Sequence, residues 1–195
     1  MDQAVIEPSP ALGVARKVSP PPGGTGVIVA YAITIFTSAF LLFQVQPLIS
    51  KFILPWFGGS PAVWTAAMLF FQIVLFGGYL YAHLTSTYLK ARGQLILHLA
   101  LLGFAAALAL YTQISPSELL KPTGDEKSPL LQILMLLGVT VGVPYFALSS
   151  TGPLLQKWFS DAFEGASPYR LFALSNVGSL LALLSYPFFF EVYWD

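Results

Sequence analysis

The stretch Val27–Phe43 reads VIVAYAITIFTSAFLLF and contains no Asp, Glu, Lys or Arg. The apolar run continues through Gln44 and Gln46 to Ile49, and a helix of that length crosses the ~30 Å hydrocarbon core of a bilayer. Its apolar residues lie all round the helix instead of forming one stripe, which indicates a helix embedded in lipid. Four more uncharged apolar stretches follow, at 62–82, 95–112, 130–148 and 171–190.

The composition of the whole chain agrees with this stretch. Only 9% of the 195 residues are charged, nine Lys plus Arg against nine Asp plus Glu, whereas a soluble domain carries about 25%. Hydrophobic residues make up 56%, and the mean hydropathy is +0.73. A β-barrel would show alternating segments of ~10 residues, which are not seen. We therefore predict an all-α, polytopic transmembrane bundle of about five membrane-spanning helices.

Charge and cysteine content exclude several kinds of binding and chemistry. Nine basic residues scattered along a chain of zero net charge cannot form the basic stripe that nucleic-acid binding needs. The absence of Cys excludes disulfides and zinc-thiolate, iron–sulfur or Cys-nucleophile sites. The acidic residues all fall in predicted tails and loops, and no catalytic grouping stands out. We predict that the protein is not an enzyme and has no catalytic residue, metal or cofactor.

The chain divides into a tail and a membrane domain. Residues 1–25 are predicted to form a flexible, Pro-rich cytoplasmic tail, and residues 26–195 the transmembrane domain. The fourth span is predicted to be one long helix that Pro144 kinks. The predicted spans are about 27–49, 62–83, 94–113, 129–159 and 169–190.

Basic residues in the loops predict the orientation. A cytoplasmic N-terminus would place six basic residues inside and three outside. The inside set is Arg16, Lys17, Lys90, Arg92, Lys157 and Arg170, and the outside set is Lys51, Lys121 and Lys127. Because inner loops of membrane proteins are enriched in Lys and Arg, this split favours a cytoplasmic N-terminus and an outer C-terminus. We expect a multi-pass protein of the bacterial inner membrane.

Polar side chains inside the predicted spans are candidate functional residues. Gln44 and Gln46 stand just before Pro47, at a depth where an amide needs a hydrogen-bond partner. They could line a polar pocket or pore, but hydrogen bonds that fix the first helix against its neighbours are the favoured interpretation. Asn176, in the fifth span, is likewise predicted to be a buried interhelical link rather than a ligand-binding residue.

The remaining candidates are one histidine and two glycines. His98 is the one titratable candidate within a predicted span, and a lone His in a bundle is usually a satisfied hydrogen-bonding residue. Gly138 and Gly142 have the GxxxG spacing that lets two backbones pack closely. We predict that they serve packing within the chain.

Three segments give the chain a family resemblance. Phe40–Leu84, Val143–Ser160 and Ser167–Glu191 resemble the membrane region of bacterial fused major-facilitator/spermidine-synthase proteins. The resemblance implies a bundle built like part of a major-facilitator half. Family members also carry an aminopropyltransferase-like domain that binds decarboxylated S-adenosylmethionine. Its acidic residues and Gly-rich turn are missing from these 195 residues, so aminopropyl transfer is not carried over.

The loop after the second span is similar to the inner-loop motif of major-facilitator proteins. Gly78 and Leu80 match the start of the motif, and Lys90 and Arg92 stand at its basic end. The central Asp of the motif is missing, which puts the usual charge gate in doubt. Five spans are also one fewer than a six-helix half-transporter has.

Three functions remain open at this point. The first is a non-catalytic membrane subunit that packs against the subunits of a larger complex, of respiratory or photosynthetic type, within the lipid bilayer. The second is the membrane anchor or channel of a split or truncated spermidine-synthase-like protein. The third is a small-solute transporter that acts as an oligomer, with Gln44, Gln46 and Asn176 lining its site.

Overall fold

A computed structural model describes residues 24–112, 121–122, 129–163 and 168–193. Within these ranges the chain is helical apart from short turns, so the predicted all-α class is confirmed. The helices are α1 (Gly24–Ile53), α2 (Pro61–Tyr88), α3 (Ala91–Thr112), α4 (Pro129–Leu137), α5 (Val143–Ala162), α6 (Tyr169–Ser185) and α7 (Glu191–Tyr193). Most of the predicted tail, residues 1–23, lies outside the described part of the chain.

These helices form five continuous helical segments that are long and apolar enough to cross a membrane. A 3-10 turn, Leu54–Phe57, extends α1. A π-helical turn, Gly138–Gly142, joins α4 to α5, and another, Tyr186–Phe190, joins α6 to α7. The predicted number of helices long and apolar enough to span a membrane is therefore confirmed, although two of them run several residues beyond the predicted limits at Ile49 and 159.

The fourth segment shows how the chain accommodates proline in a helix. It continues through Gly152 and Pro153 to Ala162, as predicted for one long helix. The π-helical turn Gly138–Gly142 lies directly before Pro144, which has no backbone N–H to donate. A widened turn is one of the known causes of helix bending, and the kink predicted at Pro144 stays a prediction.

The packing of the segments is centred on α1 and α5. Helix α1 contacts α6, α5 and α2, and α5 contacts α2, α1 and α3. Helix α6 packs mainly on α1 and α3 mainly on α5, so each is attached along one side. Among the described residues, α5 and α6 make few contacts with each other although they follow one another in the chain.

Because neighbouring helices are antiparallel, four basic residues lie at the same end of the bundle. The Trp158 indole donates a hydrogen bond to Gln94 Oε1 at 2.6 Å, which places the end of α5 beside the start of α3. The Tyr31 ring lies 5.6 Å from that of Phe159, so the start of α1 is at the same end. We call this the basic end, because the helix termini there carry Lys90, Arg92, Lys157 and Arg170.

The outer surface of the bundle is far more apolar than that of a soluble protein. On α3 the buried residues are Gln94, His98 and Ala105, whereas Ile96 and Leu99 are 69% and 56% exposed. Among the described residues, eleven polar side chains are buried, and large apolar side chains form much of the outer surface. A water-soluble protein rarely exposes such large contiguous apolar patches.

Two glycines let helices approach closely. A Cβ added to Gly78 of α2 would lie 2.8 Å from the Ser149 Cβ of α5, and one added to Gly178 of α6 would lie 2.8 Å from the carbonyl oxygen of Phe36 in α1. These positions therefore hold α2 against α5 and α6 against α1.

Gly138 and Gly142 pack differently. Both face the ring of Phe70, at 4.0 and 3.8 Å from the added Cβ. The GxxxG pair thus packs within the chain, but against an aromatic ring instead of a second backbone.

The neighbouring residues Gly77 and Gly78 give a test of this packing. Gly78→Ala should destabilise the protein by about 1–3 kcal/mol, because the methyl group would overlap Ser149. Gly77→Ala should be neutral or stabilising by up to about 1 kcal/mol, since Phe146 is 3.5 Å away and Ala favours helix over Gly. Thermal unfolding in detergent measures both. Equal effects would contradict the close approach of α2 and α5.

Candidate functional site

Gln46 and Tyr145 form a buried hydrogen bond between α1 and α5. Gln46 Nε2 donates to the Tyr145 hydroxyl oxygen at 2.5 Å, and both residues are buried. Around them pack Ile53, Phe71 and Leu137 of the larger apolar core. The bond is of the interhelical kind favoured for these glutamines from the sequence. It links the two helices on which the bundle is centred.

Gln44 has the same side chain as Gln46 in a different environment. It is 4% exposed, and neither its amide nitrogen nor its amide oxygen has a hydrogen-bond partner among the described residues. Gln44 lies one helical turn after Phe40, whose backbone nitrogen approaches Gly178 of α6. The carbonyl oxygen of Pro47 in α1 accepts a long hydrogen bond, 3.5 Å, from the hydroxyl of Tyr186, in the π-helical turn that follows α6.

His98 is hydrogen-bonded to α5 through Thr151. The two side chains are 3.2 Å apart, from Nε2 to Oγ1, and the Thr151 hydroxyl lies 2.6 Å from the carbonyl oxygen of Ala147. With the Thr151 hydroxyl donating to that carbonyl, we assign the donor role in the contact to His98 Nε2. His98 Nδ1 has no hydrogen-bond partner among the described residues.

The ring of His98 is held between aromatic side chains. Trp158 lies edge-on to it, with ring centroids 6.1 Å apart, and Tyr81 lies at the same distance on α2. The Tyr81 hydroxyl is also buried without a described partner. This His98 cluster fastens α3 to α5 near the basic end.

A cleft of about 630 Å³ lies between α5 and α6, with α1 as its back wall. Asn176 lines it and is exposed there, which differs from the buried interhelical link predicted from the sequence. Gln44 and Gln46 are not among the residues that line the cleft, so the three amides do not form one site. Its polar lining comes from Ser38, Tyr79, Ser149, Gln156, Lys157, Ser175, Asn176 and Ser179.

Sequence reasoning missed the serines and Gln156 of this cleft. Ser38 and Ser149 stand singly or in short polar runs within long apolar stretches. A serine proton can bond to a carbonyl of its own helix, so a lone Ser in a span carries little information. The available signal was the spacing of Ser175, Asn176 and Ser179, which places polar side chains one turn apart on α6.

No protein-family model matches the chain, and no curated protein or solved structure compared with it matches significantly. The resemblance to fused major-facilitator/spermidine-synthase proteins therefore stays a prediction that rests on the sequence segments quoted for it.

Gln44 and Gln46 should respond in opposite directions to the same substitution. Gln46→Leu leaves the Tyr145 hydroxyl buried without its partner and should destabilise the protein by about 1–3 kcal/mol. Gln44→Leu removes an amide that has no partner and should stabilise it by about 1 kcal/mol or more. Reversible unfolding in mixed micelles measures both. Two changes of the same sign would refute the assignment of partners.

Proposed function

We propose that the chain is a non-catalytic, multi-pass integral membrane subunit that packs against a larger complex in the bacterial inner membrane. The observation that carries the proposal is the apolar outer surface of the bundle. The apolar surface on α3 and α6 needs a cover, and lipid tails or apolar helices of other subunits provide it.

The one-sided attachment of α3 and α6 supports a partner in addition to lipid. Each of these helices packs mainly on one neighbour of its own chain. Exposed aromatic and branched side chains such as Phe104 and Phe188 cover the free sides, 60% and 70% exposed. Close packing between helices in a membrane requires a second surface, which a neighbouring subunit supplies. Complexes of respiratory or photosynthetic type are the proposed hosts.

The ends of the bundle support the proposed orientation. The helix termini at the basic end carry Lys90, Arg92, Lys157 and Arg170. Exposed Tyr88 stands at this end, and exposed Tyr111 and Tyr193 at the opposite end, as in the aromatic belts of membrane proteins. By the positive-inside rule the basic end faces the cytoplasm, which also puts the start of α1 inside.

Single cysteines test insertion and orientation, since the natural chain has none. In intact cells with a permeable outer membrane, a membrane-impermeant maleimide should label Ser60→Cys but not Thr87→Cys, which should react only after the inner membrane is opened. Leu99→Cys should stay unlabelled in both cases, although Leu99 is exposed on the bundle, because lipid or a partner covers it. Ready labelling of Leu99→Cys would contradict membrane insertion, and the reverse pattern at the two ends would contradict the orientation.

The partner is tested by extraction from native membranes. In a mild detergent the chain should migrate with a much larger complex, and mass analysis of that complex should return this chain with other membrane subunits. Recovery of the chain only as a monomer or a homo-oligomer under the same conditions would overturn the subunit proposal. The cysteine experiment has no bearing on that outcome, so insertion and assembly are tested separately.

A further inference from the structure

The cleft between α5 and α6 extends from the basic end along more than half the length of α6. Lys157 and Pro168 line it nearest the basic end, whereas Leu148 and Ser179 line it farthest from that end. From Pro168 to Ser179 the chain advances eleven residues along α6, which corresponds to roughly 16 Å of helix. Its volume of about 630 Å³ is within the range of small-molecule sites.

The serine hydroxyls of the cleft present acceptors to its interior. Ser38 donates its proton to the carbonyl oxygen of Leu148 at 3.1 Å. Ser179 donates its proton to the carbonyl oxygen of Ser175 at 3.0 Å. With those protons committed, the oxygens of Ser38 and Ser179 keep lone pairs that can accept a hydrogen bond from a ligand. Ser149 also borders the cleft, but its side chain is buried against Gly78 of α2.

Asn176 adds donors to this set. Its exposed amide offers two N–H groups and one carbonyl oxygen beside Ser175 and Ser179 on the wall of the cleft. A ligand that both donates to the serine oxygens and accepts from the amide fits this wall best. A hydroxyl group both donates and accepts hydrogen bonds, so a ligand that carries several hydroxyl groups matches this wall.

The near absence of charge on the wall favours a neutral ligand over a charged one. Of the described residues that line the cleft, Lys157 alone carries a formal charge, and it is ion-paired with Asp161. A cation would find no carboxylate on this wall, and an anion would have to compete with Asp161 for Lys157. An uncompensated charge at membrane depth is costly, so the wall favours a neutral molecule.

We propose that this cleft binds a neutral polyol, with its hydroxyl groups on Ser38, Asn176 and Ser179. The rings of Tyr79 and Phe172 also line the cleft and are exposed, and they offer apolar surface to the carbon skeleton. The polyol is either a free sugar that enters from the basic end or the sugar headgroup of a lipid that enters from the side. The site is built within this one chain and does not depend on the proposed partner subunits.

The test compares three sugars that share the glucose ring and differ in charge. Their binding is measured on the full chain in phosphatidylcholine nanodiscs. Equilibrium dialysis with labelled glucose, glucose 6-phosphate and glucosamine measures the free ligand, and native mass spectrometry of nanodiscs that contain monoglucosyl-diacylglycerol measures the lipid form. Glucose or the glucolipid should be retained at least about tenfold better than either charged sugar. Retention of glucose identifies an aqueous ligand, and retention of the glucolipid alone identifies a lipid.

Variants of Asn176 complete the test. Asn176→Leu should weaken retention of the neutral form about tenfold, whereas Thr34→Ala, at an exposed threonine of α1 outside the cleft, should leave it unchanged. Asn176→Asp should reverse the preference so that glucosamine is retained over glucose, and a gain of binding cannot arise from misfolding. Equal retention of all three sugars, retention that survives Asn176→Leu, or no retention of either neutral form would each overturn the proposal.

Discussion

The structure depends on one constraint, which is that most polar groups buried among apolar side chains are hydrogen-bonded inside the bundle, with Gln44 as an exception among the described residues. Gln46 meets Tyr145, His98 meets Thr151, and Gln94 accepts from Trp158, each across two different helices. Such bonds are worth only about 1 kcal/mol each in a membrane. Their larger effect is on register, because an unpaired amide at this depth costs more than the bond itself provides. They therefore decide which helices become neighbours.

Helix α5 is the partner in all three of these bonds, which explains why it stands near the middle of the bundle. The run Ser149–Thr151 is buried, although serine and threonine in a soluble helix would face water. Each of these hydroxyls donates to a carbonyl of its own helix, so the side chains cost little to bury and remain small enough for close contact. Small polar residues thus supply both the hydrogen-bonding capacity and the space that α2, α3 and α1 need to pack against α5.

The number and approximate limits of the spans could be predicted because they depend on the local absence of charge and on length alone. The partners of individual polar residues could not, because they depend on which helix lies opposite. Gln44 and Gln46 are two residues apart, about 200° round a helix, so they face different neighbours. Gln46 is hydrogen-bonded to Tyr145, whereas Gln44 has no hydrogen-bond partner among the described residues, although their sequence contexts are nearly the same. Asn176 was expected to be buried for the same reason, since no sequence pattern indicated that α5 and α6 would stay apart.

The cleft follows from the same close contacts that stabilise the bundle. Gly78 allows α2 to draw near α5 at Ser149, and Gly178 allows α6 to draw near α1 at Phe36. Helices α5 and α6 are joined by a short connection, yet each finds its tightest contact on a different helix, which leaves a gap between them. Ser149 and Ser179 lie at or beside these two contacts and line the gap. The two glycines that make the protein compact elsewhere are therefore also the reason that it has an opening here.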